Sequence, residues 1–430
     1  MTRLCAVLPS EKHIGEAKKA DMAEIRTDIF GEMPNISGQE TVIALRGGNF
    51  KIPDGYDGYV DSEEPLHGYA GKTIASVHDY EKTPPAEKII SELSSKKGDI
   101  VKGAYAAKYF ADLNSIFEVS RELKRPHILI GMGETGKITR VRSELLGNEI
   151  TYCHMGTPSA EGQFSLPEAL KFDENTVVLG LIGNPLGRSL SEKMQTAAIE
   201  KSGYNAVYLK FEVTNLNGFA DTVRNYDIRG LNVTIPYKTE IIEHLDALNP
   251  AAEEIGAVNT VVNDSGKLTG FNTDIDGMEK AFSLRNAVPH GKVLIMGTGG
   301  TARTAIRYFR NYGCEIYVSS RNPSGTADFR RETQSSLYGG ESIKNFDVIA
   351  NCTPMGMYAP AEYPFDVHGI NENHIVFDAV YGIRTPLIAA AERAGAEAVY
   401  GEDMLAGQGA ASFALWTGVG NMFGTMRDAL

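Results

Sequence analysis

Cysteine is scarce in this chain, with four in 430 residues at Cys5, Cys153, Cys314 and Cys352. They are widely scattered and form no CxxC pair, which argues against both a disulfide framework and a cysteine zinc cluster. Each lies in or beside an apolar run, where a free thiol behaves as a small buried hydrophobe, so reduced core thiols in a cytoplasmic protein are expected. An HExxH pair and any Cys/His cluster are missing too, and no metal site is expected. No apolar run approaches the roughly 20 residues of a membrane helix, and that of the opening MTRLCAVLPSEKH is too short for a signal peptide. Basic excess is also lacking: 42 Lys and Arg stand against 55 Asp and Glu, for a net charge of −13. That balance disfavours a nucleic-acid or anionic-membrane surface. It leaves room for an anionic small molecule, which a few local Arg or Lys residues can bind.

What is present is a long alternation of short apolar runs and helical patterns. The length exceeds what one ordinary core accommodates, so two domains are expected. Before residue 170 the runs are LCAVL, MAEI, TVIAL, TIASV, DIVKGAYAA, HILIG and EITYC, with a weaker DGYV at 57–60. Helices fall between them, as at 87–97 and at 112–124, where Leu113, Ile116 and Phe117 share a face. Eight strand candidates in βα alternation predict a (β/α)₈ (TIM) barrel. The segment is short for that fold, and GGNFKIPDGY, joining TVIALR to DGYV, has no room for a helix, so the barrel is expected to be trimmed. A polar interval, EALKFDENT, precedes the strand TVVLGLIG and sets the boundary: residues 1–172 form the barrel and 173–430 a second α/β domain. The latter continues with AVYLKFEV, GLNVTI, AVNTVV, KVLIMG, EIYVSS, DVIANC, IVFDAVY and AVYG.

Within that second half, KVLIMGTGGTARTAIRYF predicts a strand ending at Met296, a glycine turn Gly297-Thr298-Gly299-Gly300, and a helix carrying Ala302. Such a turn lets a pyrophosphate approach the free N–H groups of the helix. An NAD ribose calls for an acidic residue near the end of the next strand, EIYVSS. Arg321 stands there instead, which suits a 2′-phosphate and favours NADP.

Eight motifs over residues 176–430 carry a resemblance to shikimate dehydrogenase: GNPLGRSLS, NVTIPYK, GAVNTVV, GFNTDIDG, GTGGTAR, NCTPMGM, DAVYGIRTPL and GEDMLAGQGAASFALWTG. It implies a substrate lobe at about 173–285, completed by the C-terminal helices, and a Rossmann NADP lobe at about 286–400. It implies Lys238 and Asp274 as catalytic residues, the lysine following a strand and a proline, the aspartate placed at a strand end. A lysine beside a carboxylate can protonate a developing alkoxide. The same resemblance gives substrate contacts to Ser189, Ser191, Asn259, Asp274 and Gln408, with Thr234 and Tyr381 beside them. It gives cofactor contacts to Gly297, Gly299, Gly300, Thr301, Ala302, Ser320, Arg321, Thr353, Met357 and Gly401. The first motif departs from the family, with Arg188, Glu192 and Gln195-Thr196 where a histidine, a proline and a His-Asn pair are common. Arg188 can add a contact to the substrate carboxylate or the nucleotide, and quinate stays open as a substrate.

Residues 1 to about 168 resemble type I 3-dehydroquinate dehydratase, through ADMAEIRTD, TVIALR, TIASVHDYEKTP, GDIVKGAYA, GMGETGKITR and PSAEGQFS. By strand alternation Lys102 shares a face with Ile100 and Ala104. A lysine so placed is costly unless paired or neutral, and as the free amine it attacks carbonyls. His78 shares a face with Ile74 and Ser76, and the resemblance makes it the general acid/base of a Schiff-base dehydration at Lys102. It makes Glu24 the carboxylate that orients the histidine. Arg26, Arg46 and Arg140 fall to the substrate's hydroxyls and carboxylate, and Ser159 and Gln163 to contacts on the last loop.

Together the two resemblances imply a bifunctional enzyme of the shikimate pathway that converts 3-dehydroquinate to 3-dehydroshikimate and reduces that to shikimate. A monofunctional shikimate or quinate dehydrogenase with a decayed barrel is a second reading, and a non-catalytic metabolite sensor a third. A sensor has no need of Lys102, His78, Lys238 and Asp274 together.

Overall fold

The computed structural model describes residues 1–47, 50–67, 69–322, 326–357 and 362–430. Residues 48 and 49 of the GGNFKIPDGY connection therefore lie outside the described residues. The chain forms two compact units, Met1–Leu186 with Asn205–Ile228, and Gly187–Tyr204 with Arg229–Leu430.

The first unit is built on eight strands: β1 (Arg3–Val7), β2 (Met22–Arg26), β3 (Glu40–Ala44), β4 (Tyr59–Ser62), β5 (Lys72–Asp79), β6 (Ile100–Ala106), β7 (His127–Met132) and β8 (Ile150–His154). All eight overlap the apolar runs read from the sequence, DGYV by two residues, and every strand pairing among them is parallel. Alternation sends successive side chains to opposite faces, and β1, β2 and β8 contribute to two cores. Cys5, Met22, Val42, Ile74, Ile100, Ile128 and Tyr152 fill the interior. Ala6, Ala23, Ile25 and Cys153 pack outward against the short helix Ile14–Ala17 and Leu166. The barrel is trimmed, as its length requires. Among the described residues full helices follow only β5 (Ala86–Ser95) and β6 (Phe110–Glu122); the helix after β7, Ile138–Val141, is a single turn.

Closure is also incomplete. The sheet runs β7-β6-β5-β4-β3-β2-β1-β8, and its two ends meet through one isolated bridge, His127 to Asn148. The β7 edge left over needs partners for its backbone groups, and side chains supply them. The Asn148 carboxamide exchanges both hydrogen bonds with Leu129, at 2.7 and 3.0 Å. Thr139 Oγ1 accepts from Gly131 N at 3.0 Å, and Arg140 donates to Gly131 O at 2.8 Å. The one-turn helix after β7 thus takes the place of a strand partner.

This unit also contains β9 (Val177–Gly183) and β10 (Ala206–Glu212), paired in parallel, and the helix Phe219–Asn225. That helix packs on Phe110–Glu122, where Thr222, Tyr226 and Asn114 each bond to a backbone carbonyl across the contact. Arg142 ties the segment down by donating to the carbonyls of Thr176, Tyr226 and Asp227.

In the second unit β11 (Ile228–Val233), β13 (Thr260–Asp264) and β14 (Lys267–Phe271) form an antiparallel meander, with β12 (Ala247–Leu248) parallel to β14. A second sheet is wholly parallel, in the order β17-β16-β15-β18-β19-β20. Its strands are β15 (Lys292–Met296), β16 (Glu315–Ser319), β17 (Ser336–Leu337), β18 (Val348–Asn351), β19 (Ile375–Asp378) and β20 (Glu397–Tyr400). That is the dinucleotide-binding order, whose crevice lies where the order reverses, between β15 and β18. The helix Gly401–Thr417 lies close against Asp274–Leu284: a Cβ on Gly277 would sit 2.5 Å from the Met404 carbonyl oxygen. Only glycine permits that approach, and it sets Gln408 beside the start of the facing helix.

Candidate active sites

A cavity of about 450 Å³ opens at the C-terminal end of the barrel, lined among others by Glu24, Arg26, Arg46, His78, Lys102, Arg140, Tyr152, Ser159 and Gln163. Neighbouring strands set the relation between its reactive groups. β5 and β6 pair with Ser76 opposite Lys102 and His78 opposite Ala104. His78 therefore sits one inward position further toward the mouth than the lysine. Lys102 is only 5% exposed, and of the two alternatives open to a buried lysine, pairing is the one realised. Its Nζ donates to Asp61 Oδ2 at 2.9 Å, while Arg46 donates to the same oxygen at 2.8 Å. The ammonium also stands 4.4 Å from the centre of the Tyr152 ring, a cation–π contact.

Asp61 is fully buried on β4. Burial pushes its carboxyl up, but Lys102 and Arg46 outweigh that and bring it down to about 2. Glu24 is also buried and raised, since burial there prevails over the pull of Lys102. Two carboxyls around one lysine are thus driven apart, one fixed as the anion and the other eased toward the acid. His78 is lowered to about 4 by burial and then by the charges of Lys102 and Arg46. It is the neutral imidazole near pH 7, fit to accept a proton. Its Nδ1 meets Glu63 Oε1 at 2.8 Å, and the Tyr80 ring stacks on it at 5.8 Å between centroids. Arg140 is lowered to about 10 by burial, and its Nε has no partner among the described residues. A desolvated guanidinium facing a cavity is a receptor for an anion. Arg26 is paired with Asp28, and Gln163 Oε1 accepts from the Ser159 and Ala160 amides and the Ser159 hydroxyl, which shapes the last loop.

In the second unit Lys238, beyond β11, donates to Asp274 Oδ2 at 2.5 Å. The other oxygen of Asp274 accepts from Asn259 Nδ2 at 2.9 Å, and the same amide nitrogen reaches Gln408 Oε1 at 3.2 Å. Asn259 is itself fixed by Thr273, whose N–H donates to Asn259 Oδ1 at 2.7 Å. Ser191 N donates to Ser189 Oγ at 3.3 Å at the start of the helix Ser191–Ser202. Arg188 donates to the Met357 carbonyl at 3.2 Å, joining the serine loop to the loop after β18. Thr234 and Tyr381 are half-buried.

The nucleotide turn follows β15 as expected. Gly297 has φ +112°, and a Cβ there would meet Thr353 at 2.9 Å; a Cβ on Gly300 would meet the stem of Lys238 at 2.9 Å. The second contact links the sites, since the lysine lies against the first residue of the helix Gly300–Asn311. Thr301 is half-buried, Ala302 is fully buried, and Gly401 approaches the Val380 carbonyl oxygen too closely for any side chain. Thr353 Oγ1 donates to Asn351 at 2.6 Å, and Ser320 and Arg321 follow the end of β16, the arginine exposed. A glycine cradle, a helix N-terminus and an exposed arginine at the second strand's end fit NADP.

Two sequence expectations are corrected. The carboxylate on His78 belongs to Glu63, after β4, and not to Glu24; β4 adjoins β5, whereas β2 lies three strands away in the sheet. Asp274 does not end a strand: β14 stops at Phe271, and Asp274 is the first residue of the helix Asp274–Leu284. Sequence reading missed Asp61 and Glu63 altogether. The signal was there in YVDSEE, a short strand running into three acidic residues at the catalytic end of the barrel.

Comparison with known proteins bears on both halves. The family profile of type I 3-dehydroquinase matches residues 61–173, the shikimate dehydrogenase substrate binding domain matches 181–261, and the shikimate 5′-dehydrogenase C-terminal domain matches 401–430. The chain is 30% identical to the shikimate biosynthesis protein AroDE of Chlamydia pneumoniae, over 80% of its own length and 73% of that protein. It is 35% identical to the NADP(+) shikimate dehydrogenase of Methanococcus maripaludis, over 57% of its own length and 94% of the relative. The solved structure of shikimate 5-dehydrogenase from Thermus thermophilus, in complex with NADP(H) and shikimate, superposes with a TM-score of 0.54 at 31% identity, covering 59% of this chain and all of that one (100%).

Proposed function

The chain belongs to the shikimate dehydrogenase family and carries a type I 3-dehydroquinase region ahead of it, and we propose that its two sites carry out consecutive reactions through the residues named above. The dehydratase occupies residues 1–172 and the NADP-dependent dehydrogenase 173–430. The observation that carries the first half is a buried lysine amine at the floor of a cavity walled by a neutral histidine and three arginines.

In the barrel, Arg140 holds the carboxylate of 3-dehydroquinate, and Arg26, Arg46, Glu24, Ser159 and Gln163 take its hydroxyls. The Lys102 nitrogen attacks the ketone carbon, the carbonyl oxygen leaves as water, and an iminium forms. Neutral His78 removes the proton from the adjacent carbon, the electrons pass toward the iminium, and the departing hydroxyl takes the proton from His78. Hydrolysis of the imine then frees 3-dehydroshikimate and restores the amine.

In the second unit the ring hydroxyls of 3-dehydroshikimate meet Ser189, Ser191, Asn259, Asp274 and Gln408. Gly297, Gly299, Gly300, Thr301 and Ala302 take the pyrophosphate of NADP, and Arg321 its 2′-phosphate. When bound, NADPH supplies the hydride. Lys238 supplies the proton to the ketone oxygen, and Asp274 keeps that lysine aimed. Among the described residues no helix is long and apolar enough to cross a membrane, and the four cysteines are free thiols, which suits a cytoplasmic setting.

Borohydride reduction in the presence of 3-dehydroquinate, with peptide mass analysis, tests the first half: an adduct on Lys102 is expected, and its absence refutes the dehydratase. Comparison of NADPH with NADH on 3-dehydroshikimate tests the second, and a preference for NADH refutes the role of Arg321.

A further inference from the structure

We propose that Asp61 is the counter-ion of the protonated Schiff base on Lys102, a positioning residue that keeps the iminium cationic through proton abstraction. This rests on the dehydratase reading above and adds a residue to it.

Four observations carry the assignment. Asp61 is fully buried and is not among the residues that line the cavity, so it acts from beneath the lysine and does not compete for substrate. Its Oδ2 receives both the Lys102 ammonium, at 2.9 Å, and Arg46, at 2.8 Å. Its Oδ1 is buried and accepts no hydrogen bond among the described residues, so Lys102 and Arg46 are the chief groups that fix its charge, with Ser76 a lesser aid. The Tyr152 face, 4.4 Å from the same nitrogen, favours a cation there from another side.

The chemistry explains why such a partner is useful. When Lys102 condenses with a ketone, the ammonium loses two of its three N–H hydrogens in all, the carbonyl oxygen leaves with them as water, and a C=N⁺–H group takes its place. Charge at that position is +1 before and after, and one N–H remains to point at Asp61. An anion placed for the ammonium is therefore already in place for the iminium, with no reorganisation when the carbanion develops. Loss of the iminium proton would leave a neutral imine, a far weaker electron sink. Asp61 is poorly suited to take that proton itself, because its two cationic neighbours hold its carboxyl near 2. The other titratable or charged groups facing this nitrogen are Glu24 on β2, Arg46 after β3, His78 on β5, Cys5 on β1 and Tyr152 on β8. Of these, Glu24 is the other carboxyl, and burial raises it, which leaves Asp61 as the dependable anion.

The test uses the full chain and the variants Asp61→Asn and Asp61→Glu, with dehydrogenase activity of each preparation as the measure of folding. Dehydratase kcat and the yield of borohydride-trapped Lys102 adduct are followed from pH 5 to pH 9. For Asp61→Asn the expectation is a kcat lower by about 100-fold at neutral pH. The basic limb of both profiles should move down by about one to two pH units, and Asp61→Glu should recover part of that shift. A uniform loss with an unchanged pH profile would mean a structural role and overturn the counter-ion. Should Asp61→Asn fail to fold, the wild-type intermediate decides: its C=N stretch should shift on transfer to D₂O up to pH 8, and a band insensitive to D₂O there refutes the proposal. A wild-type chain that traps no adduct at all overturns the dehydratase reading and this assignment with it, whereas trapping with unaltered pH dependence in Asp61→Asn overturns the counter-ion alone.

Discussion

Lys102 and Lys238 each meet an aspartate, at 2.9 and 2.5 Å, yet the two sites ask different things of their nitrogen. In the barrel the aspartate is sealed off, shared with an arginine, and left with one oxygen unpartnered among the described residues. In the second unit the other aspartate oxygen is taken by Asn259, which belongs to a network of neutral hydrogen-bonding groups that includes Thr273 and Gln408. A sealed pair with extra positive charge suits a nitrogen that must become and remain part of a cationic covalent intermediate. A pair tied to amides and hydroxyls suits a lysine that gives up a proton and regains it. The same two residue types are separated in function by what else touches the carboxylate.

The largest effect should come from removing the nucleophile. Lys102→Met has no amine to form the iminium, so dehydratase activity should fall by at least about 10⁴-fold, while dehydrogenase activity of the same preparation is retained. Lys238→Met is the mirror experiment and should be milder. Removal of a proton donor typically costs about 10²- to 10⁴-fold, and hydride chemistry does not require a bond to the lysine. Dehydrogenase kcat should drop by about 10³-fold, with dehydratase unchanged and no loss of the Lys102 adduct. Equal losses in both activities from either variant would mean that the two pairs are not independent.

A smaller effect separates the halves by cofactor. Arg321→Ala removes a charge-assisted contact to the 2′-phosphate, and such contacts are worth about 1.5–3 kcal/mol. The KM for NADPH should rise by about 10- to 100-fold with that for NADH little altered, and the dehydratase should be indifferent.

How far the sequence anticipates this picture depends on the kind of fact. Strand positions were legible because apolar alternation is local: all eight barrel runs, the weak DGYV included, fall on strands. Lys102 and His78 were legible as inward-facing for the same reason. Adjacency was not. Nothing local tells whether Glu24 or Glu63 reaches His78, because that depends on which strands are neighbours, and β4 rather than β2 adjoins β5. Asp61 was missed because the run DGYV stops one residue short of it, and the polar DSEE that follows looks like a turn. The strand before Asp274 was carried too far as well: KLTGF ends at Phe271, and its bounds come from pairing with β13 across the Asp264–Lys267 turn. The incomplete barrel closure was equally hidden, since the groups that cap the β7 edge, Asn148, Thr139 and Arg140, are ordinary polar residues until the missing strand contact is seen.

The finest distinction between the two sites is in pH. His78 is held at about 4 by burial, with Lys102 and Arg46 adding to it, so it stays a neutral base well below the usual range of histidine. The acid limb of dehydratase kcat should therefore fall below pH 5, and a limb near pH 6.5 would refute the neutral-base assignment. The dehydrogenase has no histidine among its proposed site residues, so its profile should lack this limb. Glu63→Gln sharpens the point. Glu63 opposes the lowering, so its removal should carry His78 slightly further down and extend the acid limb by a fraction of a pH unit. It also orients the imidazole through the 2.8 Å contact at Nδ1, and loss of that contact should cost about tenfold in kcat. A variant slower at neutral pH and yet more acid-tolerant is what a positioning carboxylate produces. A general proton-relay role for Glu63 would instead move the limb upward or abolish it.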